Sequence, residues 1–240
     1  MNVVITQSML FPWVGMLEQI NLADILVQYD DVSFSKGSLT NRVQVKTPQG
    51  ISWMTIPLKN LSLGQSIDEV AVQNPSLWAP RHLALLTKSF KGLPYAQQAL
   101  KIVEQVYSEP HKSVGGFASA SMIALANYYG LLDGKRVLNV RDLNIEGRSS
   151  QRVLSVVSSL GGDAYITGHG GRKYLDHQDF ERAGIAVSYM NYLCKPYPQI
   201  GGKFTPYVTG LDLIANCGPS GIDSIKSVAV PWRNFINSFD

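Results

Sequence analysis

The chain is poor in charge, in cysteine and in long apolar runs. Asp, Glu, Lys and Arg make up 16% of the 240 residues, against about 25% in an average soluble domain. No stretch gathers five or six Lys or Arg residues, so a basic stripe for nucleic acid is not expected. The two cysteines, Cys194 and Cys217, are too few for a disulfide framework and stand at no metal-ligand spacing. We therefore predict neither a nucleic-acid partner nor a metal site.

Membrane and targeting segments are also missing. No run reaches the roughly 18 apolar residues that a membrane span requires, and the first residues lack the basic start and apolar core of a signal peptide. We expect a cytoplasmic protein with no membrane partner. The motifs H-E-x-x-H, C-x-x-C and G-x-S-x-G do not occur, which argues against zinc peptidase, thiol redox and α/β-hydrolase chemistry.

What is present is an alternation of short apolar runs with helical periodicity. The first thirty residues show an apolar run at 3–5, a helical stretch at about 14–23 and a second apolar run at 25–27, which predicts a parallel βαβ unit. The same rhythm returns in the second half of the chain. There we predict a helix around 149–160, a strand at 164–166, a helix around 172–183 and a strand at 185–189.

The middle of the chain interrupts this rhythm. Two arms at 42–46 and 51–56 flank a Thr-Pro-Gln-Gly turn and predict a β-hairpin. From about 76 to 129 the periodicity is helical, and breaks at 92–94 and 109–110 divide it into three helices. We predict one α/β domain over 1–240 with a mostly parallel sheet and flanking helices, interrupted by the hairpin and by a helical insert at about 75–135.

A last helix at about 208–216 should end at Gly218, placed as a C-cap, with Pro219 as a stop.

Polar residues follow each predicted strand of the parallel sheet. Ligands of open parallel sheets bind beyond the carboxyl ends of the strands. Gln7 follows the first strand, Asp30 and Asp31 follow the second, and Asn191 and Tyr192 follow the last. Neighbouring carboxylates such as Asp30 and Asp31 usually point apart, so at most one of them should be central to a site. The alternatives for this pair are a metal ligand, a general base, a partner for an amine, or a solvated strand end.

The segment 167–172, Thr-Gly-His-Gly-Gly-Arg, follows the third strand. A glycine-rich turn that opens onto a helix presents free backbone N–H groups to an anion, and Arg172 adds a bidentate donor. The segment lacks the spacing of a P-loop or of a dinucleotide fingerprint. Gly168, His169 and Arg172 therefore form either an anion site or a plain tight turn.

Two further features admit both a chemical and a structural interpretation. His82 stands near the start of a helix beside Leu83 and Leu86, where a histidine is either a packed residue or a catalyst. Arg42 and Lys46 share one face of the first hairpin arm, which is either a binding face or a solvated one.

Many short segments resemble the WbqC-like family. They include QSMLFPWVG at 7–15, DDVSFSK at 30–36, NR at 41–42, KTPQG at 46–50, FKGLPY at 90–95 and LDLIANCG at 211–218. The resemblance covers nearly the whole chain. It implies that these are pocket residues: Gln7, Asp31, Lys36, Asn41, Arg42, Lys46, His82 and Asp212.

The resemblance also implies a reaction. Members are associated with bacterial surface-polysaccharide (O-antigen) and specialised-metabolite biosynthesis, where transfer of an acyl or aminoacyl group such as glycyl to an amine is proposed. We expect an amide-forming transferase with a thioester donor, carried by a carrier protein or coenzyme A, and an amine-bearing small molecule or amino sugar as acceptor. No cofactor is expected beyond such a phosphopantetheine-linked donor.

Such a reaction needs a base for the amine, hydrogen-bond donors for the oxyanion and a binding site for the acyl donor. We assign His82 as the base, Asp31 as its orienting partner or the partner of the amine, and Asn41 with Gln7 as oxyanion donors. Cys217 is a less favoured candidate nucleophile. The residues expected to bind substrate are Asp30, Lys36, Arg42, Lys46, Gly168, His169, Arg172, Tyr192 and Asp212.

Two other functions remain open at the level of sequence. Nucleotide-dependent (nucleotidyl) transfer suits the βαβ start and the glycine-rich turn. A non-catalytic module that binds a carbohydrate or a carrier protein suits the tyrosine and tryptophan content, and a pocket without a contact between histidine and carboxylate would favour it.

Overall fold

A computed structural model describes residues 1–238. The strands are β1 (Asn2–Thr6), β2 (Ile25–Gln28), β3 (Arg42–Thr47), β4 (Gly50–Thr55), β5 (Arg136–Asn139), β6 (Ala164–Thr167), β7 (Ala186–Met190) and β8 (Ala229–Pro231). The α-helices are α1 (Val14–Asn21), α2 (Ala79–Ser89), α3 (Ala96–Ser108), α4 (Val114–Tyr128), α5 (Ser149–Ser159), α6 (His177–Arg182), α7 (Gly210–Cys217) and α8 (Trp232–Asn237). Short 3-10 turns occupy Pro75–Leu77, Val140–Leu143, His169–Lys173 and Gly218–Ser224.

Within residues 1–238 the main sheet has six strands in the order β5-β2-β1-β6-β7-β8. Its strands are parallel except β8, which runs antiparallel to β7. β1 lies between β2 and β6, so the chain leaves β1 toward one edge of the sheet and later returns to build the other. This position is the topological switch point of a doubly wound sheet, where such folds form a crevice. The expected mostly parallel α/β architecture is confirmed.

Alternating side chains build a core on each face of the sheet. Val3 and Ile5 of β1 belong to a cluster with Val156 of α5 and Phe180 of α6. Val4, which points the other way, belongs to a cluster with side chains of α1, α3, α4, α7 and the hairpin. The hairpin and the three-helix insert therefore pack on one face only, and the carboxyl ends of the strands stay open between the two layers.

The predicted interruption is present as a separate two-stranded sheet and three helices. β3 and β4 pair in antiparallel register with Thr47 opposite Gly50, and Gly50 has a φ of +123°, which glycine adopts readily. α2, α3 and α4 follow, as the two predicted breaks require. α7 ends at Gly218 with a φ of +55°, so the predicted glycine C-cap is confirmed.

The predicted helix at 172–183 is wrong in its first half. His169–Lys173 forms a 3-10 turn, and α6 begins only at His177. The side chain of Asp176 accepts hydrogen bonds from the backbone N–H groups of Gln178 and Asp179, and this N-cap starts a new helix.

β5 and β8 were not predicted, because both are short strands at the edges of the sheet, with four and three residues. In the part of the chain that the structure describes, no helix has the length and apolar character needed to cross a membrane.

Candidate functional site

A cleft of about 980 Å³ opens at the carboxyl ends of β1, β2, β6 and β7. It lies at the topological switch point, because its walls come from the segments that follow β1 and β6. Gln7 follows β1, Asp31 follows β2, Gly168 and His169 follow β6, and Tyr192 follows β7; all of them line the cleft. The predicted edge of the sheet therefore brings these five side chains or backbone segments around one space.

The start of α5 forms another wall of the cleft and carries an ion pair. Arg152 donates from its two terminal nitrogens to the carboxylate of Asp31 at 2.9 and 2.5 Å, and from Nε to the carbonyl oxygen of Ile145 at 2.8 Å. Its guanidinium lies 5.0 Å from the ring centre of Tyr29. Both charged side chains are 12% exposed, and the hydrogen bonds that Arg152 donates to Asp31 raise the pKa of Arg152. The pair also borders a smaller cavity of about 350 Å³.

His169 presents one ring nitrogen with a defined role. Nε2 lies 2.8 Å from the carbonyl oxygen of Met190. A carbonyl only accepts, so Nε2 carries a hydrogen, and in the neutral form of the imidazole Nδ1 has the lone pair. Within residues 1–238 no hydrogen-bond partner meets Nδ1. The ring packs between Tyr192 at 5.1 Å and Phe235 at 4.8 Å. A base is thus held in the cleft by one backbone contact and two aromatic rings.

Tyr192 completes this wall. Burial raises the pKa of its phenol to about 12, so the hydroxyl keeps its proton at neutral pH. It donates weakly to Oε1 of Gln19 at 3.4 Å. Its ring also packs against Trp13 at 4.9 Å.

His82 does not line the cleft, and its expected pairing with Asp31 is not formed. Nε2 donates to the carbonyl oxygen of Thr55 at 3.0 Å, which leaves Nδ1 to accept from the hydroxyl of Tyr107 at 2.9 Å. The ring also packs on Trp78. Burial lowers the pKa of His82 to about 4. Its lone pair is already used in a hydrogen bond, so the structure corrects the assignment of His82 as a general base.

Asn41 and Asp30 support loops and do not line the cleft. Asn41 donates to the carbonyl oxygen of Ile56 at 3.1 Å and closes the base of the hairpin, which corrects its assignment as an oxyanion donor. Asp30 accepts from the backbone N–H and the hydroxyl of Ser8 at 2.8 and 2.5 Å, and burial raises the pKa of Asp30. Asp30 therefore turns away from Asp31. Residues 1–238 contain no group of three or more His, Cys, Asp or Glu side chains able to hold a metal ion.

Lys46 and Asp212 form part of a second polar group beneath the hairpin. Lys46 is 1% exposed, and its Nζ donates to Oε1 of Gln199 at 2.9 Å and to the carbonyl oxygen of Lys203 at 2.5 Å. Burial raises the pKa of Asp212 to about 6, while the charge of Lys46 opposes that rise. This group does not line the cleft. It ties the segment after β7 to β3.

Four other predicted residues lie outside the cleft. Lys36 is exposed, and Arg42 donates to the carbonyl oxygen of Gly37 and covers the ring of Trp53 at 4.3 Å. Arg172 stands in the 3-10 turn after β6. Burial raises the pKa of Cys217, which disfavours the thiolate a nucleophile needs.

Sequence reasoning missed Arg148 and Arg152, although both line the cleft. The available signal was their spacing of four residues at the start of the predicted helix around 149–160. This helix could not be placed at the correct edge of the sheet because β5, the strand before it, was not predicted.

Comparison with known proteins identifies the family of the chain. Residues 7–224 match the WbqC-like protein family. The chain belongs to this family. The uncharacterized protein Rv1507c of Mycobacterium tuberculosis is 26% identical over 228 residues, which cover 94% of this chain and 97% of that protein. No solved structure matches the chain.

Proposed function

We propose that this WbqC-like protein is a transferase that forms an amide bond. It moves an acyl or aminoacyl group, such as glycyl, from a thioester on a carrier protein or coenzyme A to an amine bound in the cleft. The observation that carries the proposal is that His169, which lines a cleft with two arginines, has its Nε2 fixed on Met190 and its Nδ1 without a partner among residues 1–238. We therefore give the role of general base, which the sequence assigned to His82, to His169.

The reaction follows from this arrangement in one sequence of bond changes. The amine nitrogen attacks the thioester carbonyl while Nδ1 of His169 takes its proton. The C–N bond forms, the C–S bond breaks, and the proton passes to the leaving thiolate. In this proposal Gln7, which follows β1 and lines the cleft, donates its side-chain amide to the oxyanion. Attack is direct, because burial raises the pKa of both Cys194 and Cys217 and neither thiol is activated.

The proposal is tested with aminoacyl thioesters of pantetheine and a panel of amines, with amide products detected by mass spectrometry. His169→Ala should lower turnover by on the order of 100-fold or more, and added imidazole should restore part of it. His111→Gln is the matched control, since His111 Nε2 also bonds a backbone carbonyl, that of Val106 at 2.9 Å, but lies outside the cleft. Full activity of a folded His169→Ala variant would remove the proposal.

Nucleotidyl transfer has less support. The strand order is that of nucleotide-binding sheets, but a shared fold does not carry function. In those folds the phosphates rest on the first turn of the first helix. Here a Cβ atom at Gly15 would overlap the ring of Trp13, and Gly210 donates to the carbonyl oxygen of Pro12 at 2.7 Å, so that turn is covered. Calorimetry with nucleotides, with and without magnesium, tests this alternative.

A binding module is the second candidate, and one observation favours it. No histidine in residues 1–238 is hydrogen-bonded to a carboxylate: the partners are Thr55, Tyr107, Val106, Met190 and Tyr189. Such a module would hold a carbohydrate or carrier protein without turnover. Donor binding that His169→Ala leaves unchanged, with no amide formed, would select this function.

We place the reaction in the cytoplasm, as the sequence leads us to expect, and in surface-glycan or specialised-metabolite biosynthesis, as the family resemblance implies. Neighbouring genes for glycosyltransferases would support the first pathway. Genes for a carrier protein and an adenylation enzyme would support the second.

A further inference from the structure

The charged side chains of the cleft lie around the start of α5. Among the residues that the structure describes, the charged side chains that line the cleft are Arg148, Arg152 and Asp31. The lining therefore carries two positive charges and one negative charge, and its other residues are uncharged. An anionic group entering the cleft is attracted to this wall, where α5 begins.

The two arginines are neighbours at the start of α5. Arg148 is the N-cap residue of the helix, and its carbonyl oxygen accepts from the backbone N–H of Arg152 at 3.3 Å. Arg148 is exposed, and within residues 1–238 it has no ion-pair or side-chain hydrogen-bond partner. A second guanidinium with no internal partner thus stands beside the anchored one.

Arg152 is held in place by hydrogen bonds that do not engage all of its N–H donors. Three of its N–H groups are engaged, two by Asp31 and one by Ile145. The side chain of Tyr29 is a further hydrogen-bond partner, and a guanidinium has five N–H donors in a rigid plane, so one remains for a ligand. Because the carboxylate and the ring of Tyr29 hold the guanidinium in place, this donor is oriented before a ligand arrives.

We propose that Arg148 and Arg152 bind the phosphate of the donor's phosphopantetheine arm, an inference that rests on the proposed transfer reaction. A tetrahedral phosphate offers oxygens to two guanidinium groups at once, which a planar carboxylate does less well. From this wall to His169 the lining is uncharged and includes Gln7, Met9 and Thr167. This surface suits the neutral, amide-bearing pantetheine chain, which would bring its thioester toward Nδ1.

Asp31 has two opposed effects in this subsite. It orients Arg152, and it places a negative charge next to the bound phosphate. Asp31→Asn keeps the shape and an oxygen acceptor for Arg152 while it removes the charge. The variant should therefore bind the phosphate more tightly, a result that a purely structural ion pair would not produce.

The experiment is calorimetry at low salt with 4′-phosphopantetheine, pantetheine, coenzyme A and inorganic phosphate. Phosphopantetheine should bind at least about tenfold more tightly than pantetheine, since only phosphopantetheine carries the charged group that the arginines bind. Arg148→Gln should lower the affinity for phosphopantetheine about tenfold. Arg136→Gln is the matched control, because Arg136 is exposed at the start of β5, at the opposite end of the sheet, and should bind as the wild type does. Asp31→Asn should bind more tightly.

The outcomes separate this inference from the proposed function. Equal affinity for phosphopantetheine and pantetheine, or an Arg148→Gln variant that binds as the wild type does, overturns the subsite even if amide formation is observed. Arg148-dependent binding of inorganic phosphate with no gain from the pantetheine chain overturns the donor assignment. If Asp31→Asn does not fold, Arg148→Gln and its control still give the answer, because Arg148 is exposed and its loss leaves the ion pair intact.

Discussion

Tyr107 donates its hydroxyl hydrogen to Nδ1 of His82 over 2.9 Å, while Nε2 of the same ring donates to the carbonyl oxygen of Thr55. Both ring nitrogens are satisfied only in the neutral form of the imidazole. The ring links α2, α3 and the hairpin strand β4, and its environment resists protonation. This relationship gives His82 a role in stability and makes that role dependent on pH.

Acid should destabilise the protein through His82. Its pKa is about 4 in the folded protein and about 6.5 when exposed, so between these values the unfolded chain binds more protons. Stability therefore falls as the pH is lowered from 6.5 to 4, by up to about 3 kcal/mol from this group. Urea unfolding of the wild type and of His82→Gln at pH 7 and pH 4.5 measures the effect. The wild type should lose more stability than the variant over this interval, and equal losses in the two proteins would contradict the prediction.

Glu18 should act in the opposite direction. It is fully buried on α1, and its Oε1 accepts from the backbone N–H of Cys194 at 3.3 Å. Burial raises the pKa of Glu18 to about 7 from a usual 4.5, so the folded state binds the extra proton and stability falls as the pH rises from 4.5 to 7. Glu18→Gln keeps the acceptor oxygen without the ionisation. It should exceed the wild type by about 3 kcal/mol at pH 8 and match it at about pH 4.

Glu104→Gln is the control for this prediction, because Glu104 is exposed on α3. It should show no such dependence on pH. A Glu18→Gln variant that is no more stable than the wild type at pH 8 would be evidence that burial does not raise the pKa of the Glu18 carboxyl.

Lys46 should stabilise residues 199–205, which lie in the segment after β7. Lys46→Met leaves the carbonyl oxygen of Lys203 and one acceptor site of Gln199 without their buried donor, a loss of about 1–3 kcal/mol. Hydrogen exchange should rise in 199–205. Lys101→Met, an exposed change on α3, should leave exchange there unaltered. Unchanged protection of 199–205 in Lys46→Met would mean that the segment is held by other contacts.

Gly218 should tolerate no side chain. Its φ is +55°, and a Cβ atom would lie 2.6 Å from the ring of Tyr95, so Gly218→Ala combines backbone strain with a clash and should cost roughly 3 kcal/mol. Gly92→Ala is the matched control: Gly92 has a φ of +82° but nothing within 4 Å of the added atom, and it should cost roughly 1 kcal/mol. Thermal unfolding compares the two, and equal shifts in Tm would show that the ring does not contribute.

Much of the fold was predictable because its signals are local. The run 3–5, the hairpin turn and the breaks at 92–94 and 109–110 depend on periodicity and turn chemistry within a few residues. β5 and β8 carry no comparable signal, since a three- or four-residue edge strand becomes a strand only by pairing with a neighbour. The restart of the helix at His177 was hidden because it depends on one side-chain cap by Asp176.

The candidate site divides in the same way. The rule that ligands meet the carboxyl ends of parallel strands was enough to group Gln7, Asp31, His169 and Tyr192. No local pattern could reveal that Tyr107, a residue on another helix, would take the lone pair of His82.

Local sequence patterns were thus sufficient for the α/β class, the insert and the edge of the sheet where polar groups collect, because hydrophobic periodicity and turn residues act over short distances. The partners of the charged and titratable groups came from the packing of distant segments. Arg152 meets Asp31 from 121 positions away, and Lys46 meets Gln199 from 153. Burial and hydrogen bonding then set which of these groups has a lone pair or a donor left for a ligand, and those quantities exist only in the folded chain.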